Sequence, residues 1–132
     1  MKQILFERFG NPEEVLACSD APDPGSPGPD EVRLKVLAFP INPSDLLFVR
    51  GEHGIRPSLP ACPGAECVAV VESIGQSVTL INPGDVVVHL DRGNWSEFLL
   101  AKADRVVPIP TEMDLLQAAM LKINPPTAQL LL

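Results

Sequence analysis

Alternation of apolar and polar positions predicts short β-strands over most of the chain. The clearest case is 31–38, where Val32, Leu34 and Val36 are apolar and charged residues lie between them, as in a strand with one buried face. The β-branched run at 66–74 predicts a strand that is buried on at least one face. Shorter runs predict further strands at 3–7, 15–18, 86–90, 95–101 and 105–109.

Prolines and glycines separate these runs. The chain has 15 prolines and nine glycines, spread without a period, which indicates turns between short strands and not a low-complexity linker. The proline-rich segment 20–30 predicts an extended surface loop. Short strands joined by such turns predict a mainly β fold, either a small barrel or a sandwich, with a few short helices.

Helical spacing occurs in three places. Asn42, Ser44 and Asp45 are good N-cap residues, and the apolar spacing after them predicts a short helix near 44–50, capped by Ser44 or Asp45. A second helix is predicted at 112–121. After a Pro-Pro break, Thr127 is expected to cap a third helix whose leucines would be exposed. Because soluble monomers normally hide such surface, we expect a fragment or isolated domain, the alternative being a natural end.

Composition and charge exclude several classes of protein. The 132 residues carry a net charge of −7 with only ten lysines and arginines, so we expect no nucleic-acid partner. No apolar run approaches the ~18 residues that a membrane span needs. The N-terminal segment lacks the apolar core of a signal peptide, so the expected location is cytoplasmic. Three cysteines without a CxxC pair fit reduced thiols.

Several motifs, in order and spacing, resemble one family. They are FGNPEEVL at 9–16, PGPDEVRLKVLAFPINPSD at 27–45, GAECVAVVESIGQSV at 64–78, NPGDVVV at 82–88 and LQAAMLKINPPTAQLLL at 116–132. The chain resembles the N-terminal, GroES-like catalytic domain of the medium-chain dehydrogenase/reductase superfamily. Within it, the similarity is to the zinc-independent branch of quinone oxidoreductases and 2-enoyl thioester reductases.

This resemblance implies a fold and a domain division. Residues 1–121 would form a GroES-like, partly open β-barrel. Residues 122–132 would be the connection and first helix toward a cofactor-binding Rossmann domain that the chain does not contain. In keeping with this, no GxGxxG motif occurs in the sequence.

The resemblance also implies an enzyme. Its full-length form would transfer hydride from NADPH to the activated double bond of a small-molecule substrate, either a quinone or a 2-enoyl thioester. Full-length relatives dimerise through the Rossmann domain, so the present chain is expected to be a monomer and inactive alone. A different class of function is left open, that of a stand-alone GroES-like binding or assembly module without catalysis.

The candidate site residues follow from the same resemblance. Asn42 would lie at the cleft between nicotinamide and substrate, as a catalytic and cofactor-binding residue, while Asp45 would brace the backbone or cap the helix. Trp95 would contact substrate at the cleft rim or belong to the core. Thr127 would contact the nicotinamide or merely cap its helix, and Lys122 is expected to be a surface charge.

His53 stands where thioester reductases of this branch have a tyrosine that donates a hydrogen bond to the substrate. A histidine can donate a hydrogen bond and act as an acid near neutral pH, so a catalytic role is one reading. The other reading is a solvated loop residue without a role.

No metal is expected. The position of the metal-binding histidine of zinc-dependent relatives is Ala65 here, which leaves Glu66 as a structural carboxylate. A tetrahedral zinc site needs three or four ligands, and Cys62 and Cys67 have only His53 and His89 as candidate partners.

Overall fold

The computed structural model describes all of residues 1–132 and contains seven strands and four α-helices. In chain order they are β1 Lys2–Leu5, α1 Pro12–Val15, β2 Ala17–Asp20, β3 Glu31–Ala38, α2 Pro43–Arg50, β4 Cys67–Ile74, β5 Val86–His89, β6 Phe98–Lys102, β7 Val106–Pro108, α3 Leu115–Ala118 and α4 Asn124–Leu130.

The strands form one sheet of five and one of two. The larger sheet has the order β6-β3-β4-β5-β7, with every neighbouring pair antiparallel. Strands β1 and β2 pair separately, and single bridges at Gln3–Ser96 and Phe6–Ala61 tie β1 to the rest. The edges β6 and β7 do not pair with each other. The predicted mainly β fold with short helices is therefore confirmed, and the barrel is open.

Three apolar clusters hold these elements together, of which the third joins Val68 of β4 to Ala118 and Ala119. Val32 and Leu34 are fully buried while Lys35 is exposed, so the predicted alternation in β3 is confirmed. They pack with residues of β4, β5 and β6 in the main core. A second cluster joins α1, α2 and the residue that follows β1 through Val15, Phe48 and Phe6. This second cluster fixes α2 against the strands, which matters because α2 begins at the candidate site.

Three predicted elements differ from the structure. The strand predicted at 15–18 begins only at Ala17, since Val15 ends helix α1. The strand predicted at 95–101 begins at Phe98, because the Trp95 backbone N–H donates to Pro63 O instead of joining the sheet. The helix predicted at 112–121 is α-helical only over α3, where the Asp114 side chain caps the backbone N–H groups of Leu116 and Gln117.

The last helix also starts earlier than predicted. α4 begins at Asn124 and carries Pro125 in its first turn, where a missing N–H costs nothing. Thr127 therefore lies inside the helix, exposed, and does not cap it. No helix of the structure has the length and apolar character needed to cross a bilayer.

Candidate functional site

The start of α2 is built around Asn42 and Asp45. Pro43 occupies the first helical turn, which suits its fixed φ. Asn42 is the N-cap residue, and Asp45 Oδ2 accepts a hydrogen bond from the Asn42 backbone N–H at 2.9 Å, as in a capping box. The predicted helix is confirmed, but the N-cap is Asn42; Asp45 supports it from the third helical position, and Ser44 is not the cap.

Glu66 holds the Asn42 side chain in place. The Asn42 Nδ2 donates to Glu66 Oε1 at 3.0 Å, and the other carboxylate oxygen, Oε2, accepts from the Ile123 backbone N–H at 3.0 Å. Glu66 is fully buried and Asn42 is 8% exposed. The carboxylate thus connects the start of α2, the residue before β4 and the segment ahead of α4, which agrees with the structural role predicted for Glu66.

Asp45 faces an arginine that sequence reasoning missed. The carboxylate is fully buried, and its Oδ1 lies 3.8 Å from Arg92 Nη1. Neither of these two atoms has a hydrogen-bond partner. Burial raises the pKa of Asp45, while the backbone N–H groups of Asn42 and Ala65 and then the charge of Arg92 act in the opposite direction. Arg92 sits in the turn between β5 and β6, and no local pattern in the sequence connects it to α2.

His53 lies beyond the end of α2 and is in contact with Arg92. Its ring meets Phe48 edge-on, with centroids 6.1 Å apart, and its Nδ1 accepts from the Ile55 backbone N–H at 3.0 Å. Its Nε2 lies 3.3 Å from Arg92 Nη2. A neutral imidazole has one acceptor nitrogen, so in either tautomer the ring N–H of His53 faces another donor. The loop position is confirmed, and the catalytic role of His53 stays a prediction.

A second polar group is centred on Asn94. Asn94 is fully buried; its Nδ2 donates to the carbonyls of Gly64 (3.0 Å) and Asp91 (2.7 Å). Its Oδ1 accepts from Cys67 Sγ (3.2 Å) and from His89 Nδ1 (2.7 Å). Every polar atom of the amide is satisfied, so this group fixes the β5–β6 turn against the residues before β4.

Cys62 and Cys67 are poor nucleophiles in these surroundings. Burial raises the pKa of Cys67 to about 12 and that of Cys62 to about 11, so both remain thiols at neutral pH. No group of three or more His, Cys, Asp or Glu side chains is placed to hold a metal ion. Cys67 and His89 are opposite each other on β4 and β5, but both are bonded to Asn94.

Trp95 is a buried aromatic residue next to a surface depression. It is 3% exposed and stacks on Phe39, with ring centroids 5.7 Å apart and planes at 22°. The two rings line a surface depression of about 230 Å³, together with residues of β1 and β3, and neither His53 nor Asn42 contributes to it. Contact of Trp95 with a substrate stays a prediction, and the burial of its ring fits the core reading.

The two candidates near the end of the chain have different surroundings. Thr127 is exposed on α4, so its nicotinamide contact stays a prediction. Lys122 is half-buried, and its Nζ donates to the Ala65 carbonyl, so the expectation of a surface charge is wrong. Burial lowers the pKa of Lys122, and the neighbouring Arg92 charge acts in the same direction.

Comparison with protein families identifies the class. Residues 28–111 match the family model described as the alcohol dehydrogenase GroES-like domain, and the chain belongs to this family. Among curated relatives, the mitochondrial enoyl-[acyl-carrier-protein] reductase of Xenopus tropicalis is 39% identical over 131 residues, which are 98% of this chain and 37% of that protein. The quinone oxidoreductase of Sus scrofa is 34% identical over 125 residues, 93% of this chain and 38% of that protein.

Solved structures agree with this assignment. The quinone oxidoreductase of Pseudomonas syringae matches with a TM-score of 0.86 and 33% identity over 98% of this chain and 40% of that one. A complex of Etr1p with NADP and crotonyl-CoA matches with a TM-score of 0.85 and 27% identity (98% and 42%). The Escherichia coli quinone oxidoreductase with NADPH gives 0.81 and 30% (90% and 36%).

These findings confirm the resemblance to medium-chain dehydrogenases/reductases and the GroES-like fold. The chain spans well under half the length of the curated relatives it matches: 37% of the Xenopus tropicalis reductase, 35% of its human counterpart and 38% of the Sus scrofa enzyme. These relatives are oxidoreductases, which is the class of enzyme that the sequence predicted.

Proposed function

We propose that the chain is the GroES-like catalytic portion of a zinc-independent, NADPH-dependent reductase that delivers hydride to the activated double bond of a quinone or a 2-enoyl thioester. In this proposal residues 1–121 form the domain, and 122–132 connect it to a Rossmann domain. Support comes from relatives that carry both activities in their names and from solved relatives bound to NADP or NADPH.

The observation that carries the proposal is the fixed amide of Asn42. Glu66 holds the Asn42 side chain from one side, and the Asp45 carboxylate holds its backbone from the other. A polar group that is oriented before substrate arrives needs no reorganisation during reaction, which is what a cleft wall requires. Asn42 would position the nicotinamide and substrate, with Thr127 on the nicotinamide side and Trp95 at the rim.

NADPH would supply the hydride. The residues present would fit only the nicotinamide end of NADPH, through Asn42. The sequence has no glycine-rich strand–turn–helix motif to bind its phosphates. The residues of this chain would therefore orient the reacting groups and exclude water, while affinity for the dinucleotide would come from elsewhere. We accordingly expect the chain alone to bind NADPH weakly and to be inactive.

His53 is proposed as a hydrogen-bond donor to the substrate carbonyl, in the place of the tyrosine of related thioester reductases. The His53 ring lies next to Arg92, so both His53 and Arg92 are candidate donors to the substrate carbonyl. The variants His53→Ala and His53→Tyr test this role. Loss of enoyl reduction in His53→Ala together with its retention in His53→Tyr supports the role, and unchanged reduction in His53→Ala excludes it.

The test is a substrate panel with NADPH, using the chain alone and the full-length gene product. We expect the full-length protein to oxidise NADPH with a quinone or a 2-enoyl thioester, and the chain alone to show neither turnover nor micromolar NADPH binding. Turnover with neither substrate would contradict the proposal and favour a binding or assembly module. Adding a zinc chelator checks the metal: the rate should not change.

Two further properties belong to this proposal. We propose that the full-length protein is a homodimer and the present chain a monomer, which light scattering on both would check. The proposed location is cytoplasmic, although the names of several relatives place them in mitochondria. Cell fractionation would distinguish the two compartments.

A further inference from the structure

Arg92 differs from the other arginines of the chain in how its N–H groups are used. Arg33 and Arg105 donate to carboxylates, and Arg56 donates to the Gly51 carbonyl. Arg8 and Arg50 are exposed to water. Arg92 is only 27% exposed at its side chain, and its Nη1 is buried without a partner.

An unpartnered buried donor requires an explanation. Leaving such a group without a hydrogen bond costs about 1–3 kcal/mol, so most folds avoid it. A guanidinium has five N–H donors, and the only polar side-chain atom within hydrogen-bond distance of Arg92 is His53 Nε2, at 3.3 Å. Nη1 itself is closed to solvent and faces Asp45, so the donor capacity that a ligand could reach lies on the exposed part of the guanidinium side chain.

Three neighbours nevertheless hold the guanidinium in place. Asp45 Oδ1, itself unpartnered, attracts it from 3.8 Å without a hydrogen bond. The Phe48 ring lies against its face, with Cζ 5.3 Å from the ring centroid. His53 meets it from the loop after α2. A charged group that is held at one place but not saturated has the properties of an oxyanion-binding group.

Arg92 is connected to Asn42, the proposed nicotinamide-positioning residue, through Asp45. Asp45, which faces Arg92, accepts the backbone N–H of Asn42. His53, which would take the place of the relatives' tyrosine, can offer its ring N–H to a substrate only if it gives up its contact with Ile55 or with Arg92. The guanidinium is therefore a second candidate donor beside His53, and it needs to give up no hydrogen bond to the protein other than the one to His53.

We propose that Arg92 binds the carbonyl oxygen of the acceptor substrate, an α,β-unsaturated carbonyl compound, and stabilises the negative charge that develops on this oxygen during reduction. This inference rests on the proposed function. In the two-electron reduction the substrate gains one hydride and one solvent proton; Arg92 transfers neither, because a guanidinium keeps its protons in water. Asp45 is a positioning residue that holds it, and His53 contacts it.

The test compares Arg92→Ala with wild type in the full-length protein, using NADPH and the substrate found active in the panel. We expect kcat/KM to fall by about 10²-fold, as when one oxyanion donor is lost. Added guanidinium ion should restore part of this loss in Arg92→Ala, because it can occupy the vacated position. Arg50→Ala, which removes an exposed arginine at the end of α2, is the matched control and should stay within about twofold of wild type.

Each outcome decides the matter. A kcat/KM for Arg92→Ala within about twofold of wild type overturns the inference, and so does a loss that guanidinium does not reduce in a variant that melts like wild type. If Arg92→Ala does not fold, Arg92→Lys replaces it, since lysine keeps the charge opposite Asp45 but not the planar fork. A large loss in a folded Arg92→Lys supports the inference, and wild-type activity overturns it. Absence of turnover by wild type itself would overturn the proposed function and this inference together.

Discussion

The Asn42 amide and the Glu66 carboxylate are joined by a hydrogen bond of 3.0 Å between side chains that are both buried and 24 positions apart in the chain. Asn42 starts α2, and Glu66 immediately precedes β4. Because the second oxygen of Glu66 accepts from Ile123, one carboxylate orders three separate segments. Both oxygens of this side chain are occupied, so a change in it affects partners in two other segments.

The variant Glu66→Gln tests this connection. Both oxygens of Glu66 accept from N–H groups, so the amide of glutamine must turn its NH₂ toward either Asn42 or Ile123. We expect the free energy of unfolding to fall by about 1–3 kcal/mol, the cost of an unsatisfied buried donor. Urea unfolding of the purified chain, followed by Trp95 fluorescence, measures it.

Glu112→Gln is the matched control, because Glu112 is exposed and the same change there should stay within about 0.5 kcal/mol of wild type. Equal midpoints for Glu66→Gln and wild type would show that the carboxylate does not hold the three segments together.

The turn that places Trp95 and Asn94 depends on Gly64. Its φ of +109° is unfavourable for other residues, and an added Cβ would lie 2.6 Å from Trp95 Cδ1 and 2.9 Å from the Asn94 backbone nitrogen. We expect Gly64→Ala to destabilise the chain by about 2 kcal/mol or more, since strain and overlap add. Thermal unfolding by circular dichroism would detect this shift.

Substitutions at two other glycines separate the effect of backbone strain from the effect of steric overlap. Gly25 has a φ of +82° and no atom within 4 Å of an added Cβ, so Gly25→Ala isolates the backbone strain. Gly54 has neither feature, and Gly54→Ala should be neutral or slightly stabilising. If Gly64→Ala is no worse than Gly25→Ala, the close packing against Trp95 is not important.

Local patterns are sufficient to predict most of the fold. The alternation at Val32 and Leu34, the β-branched run of β4 and the Asn42–Pro43 start of α2 all depend on neighbours in the chain. The wrong prediction that Thr127 caps the last helix also has a local cause. Pro125 lies in the first turn of α4, but the sequence reading took the Pro-Pro pair as a break and the polar residue after it as the start of the helix.

The site is only partly predictable, because its central contacts join distant segments. Asn42, His53 and Glu66 stand out through a family resemblance. Arg92 and Asn94 look like turn residues in the sequence, and their roles emerge only when the β5–β6 turn folds back onto Gly64 and α2. Such contacts leave no periodic signal in a single sequence.

The amide of Asn94 provides the next prediction. Asn94→Asp would place a carboxylate oxygen against the carbonyls of Gly64 and Asp91, where Nδ2 now donates. We expect a loss of about 3 kcal/mol or more at neutral pH, because the new charge is buried and faces acceptors. Asn82→Asp makes the same change at an exposed turn and should have little effect. Urea midpoints that shift equally in the two variants would contradict a structural role for Asn94.

Stability should depend on pH through His89, which is 4% exposed. Burial lowers the pKa of His89, so the folded chain keeps the imidazole neutral while the unfolded chain begins to protonate near its ordinary pKa of about 6.5. The unfolded state therefore binds more protons below this pH, and stability falls as pH decreases, by at most about 1.4 kcal/mol per pH unit.

His89→Asn keeps a donor for Asn94 but cannot titrate, so its unfolding free energy should decline less between about pH 7 and 5. The raised pKa of Asp45 has the opposite sign, but it is common to both proteins and cancels in their difference. Parallel curves from urea titrations of the two proteins would show that His89 is not the group responsible.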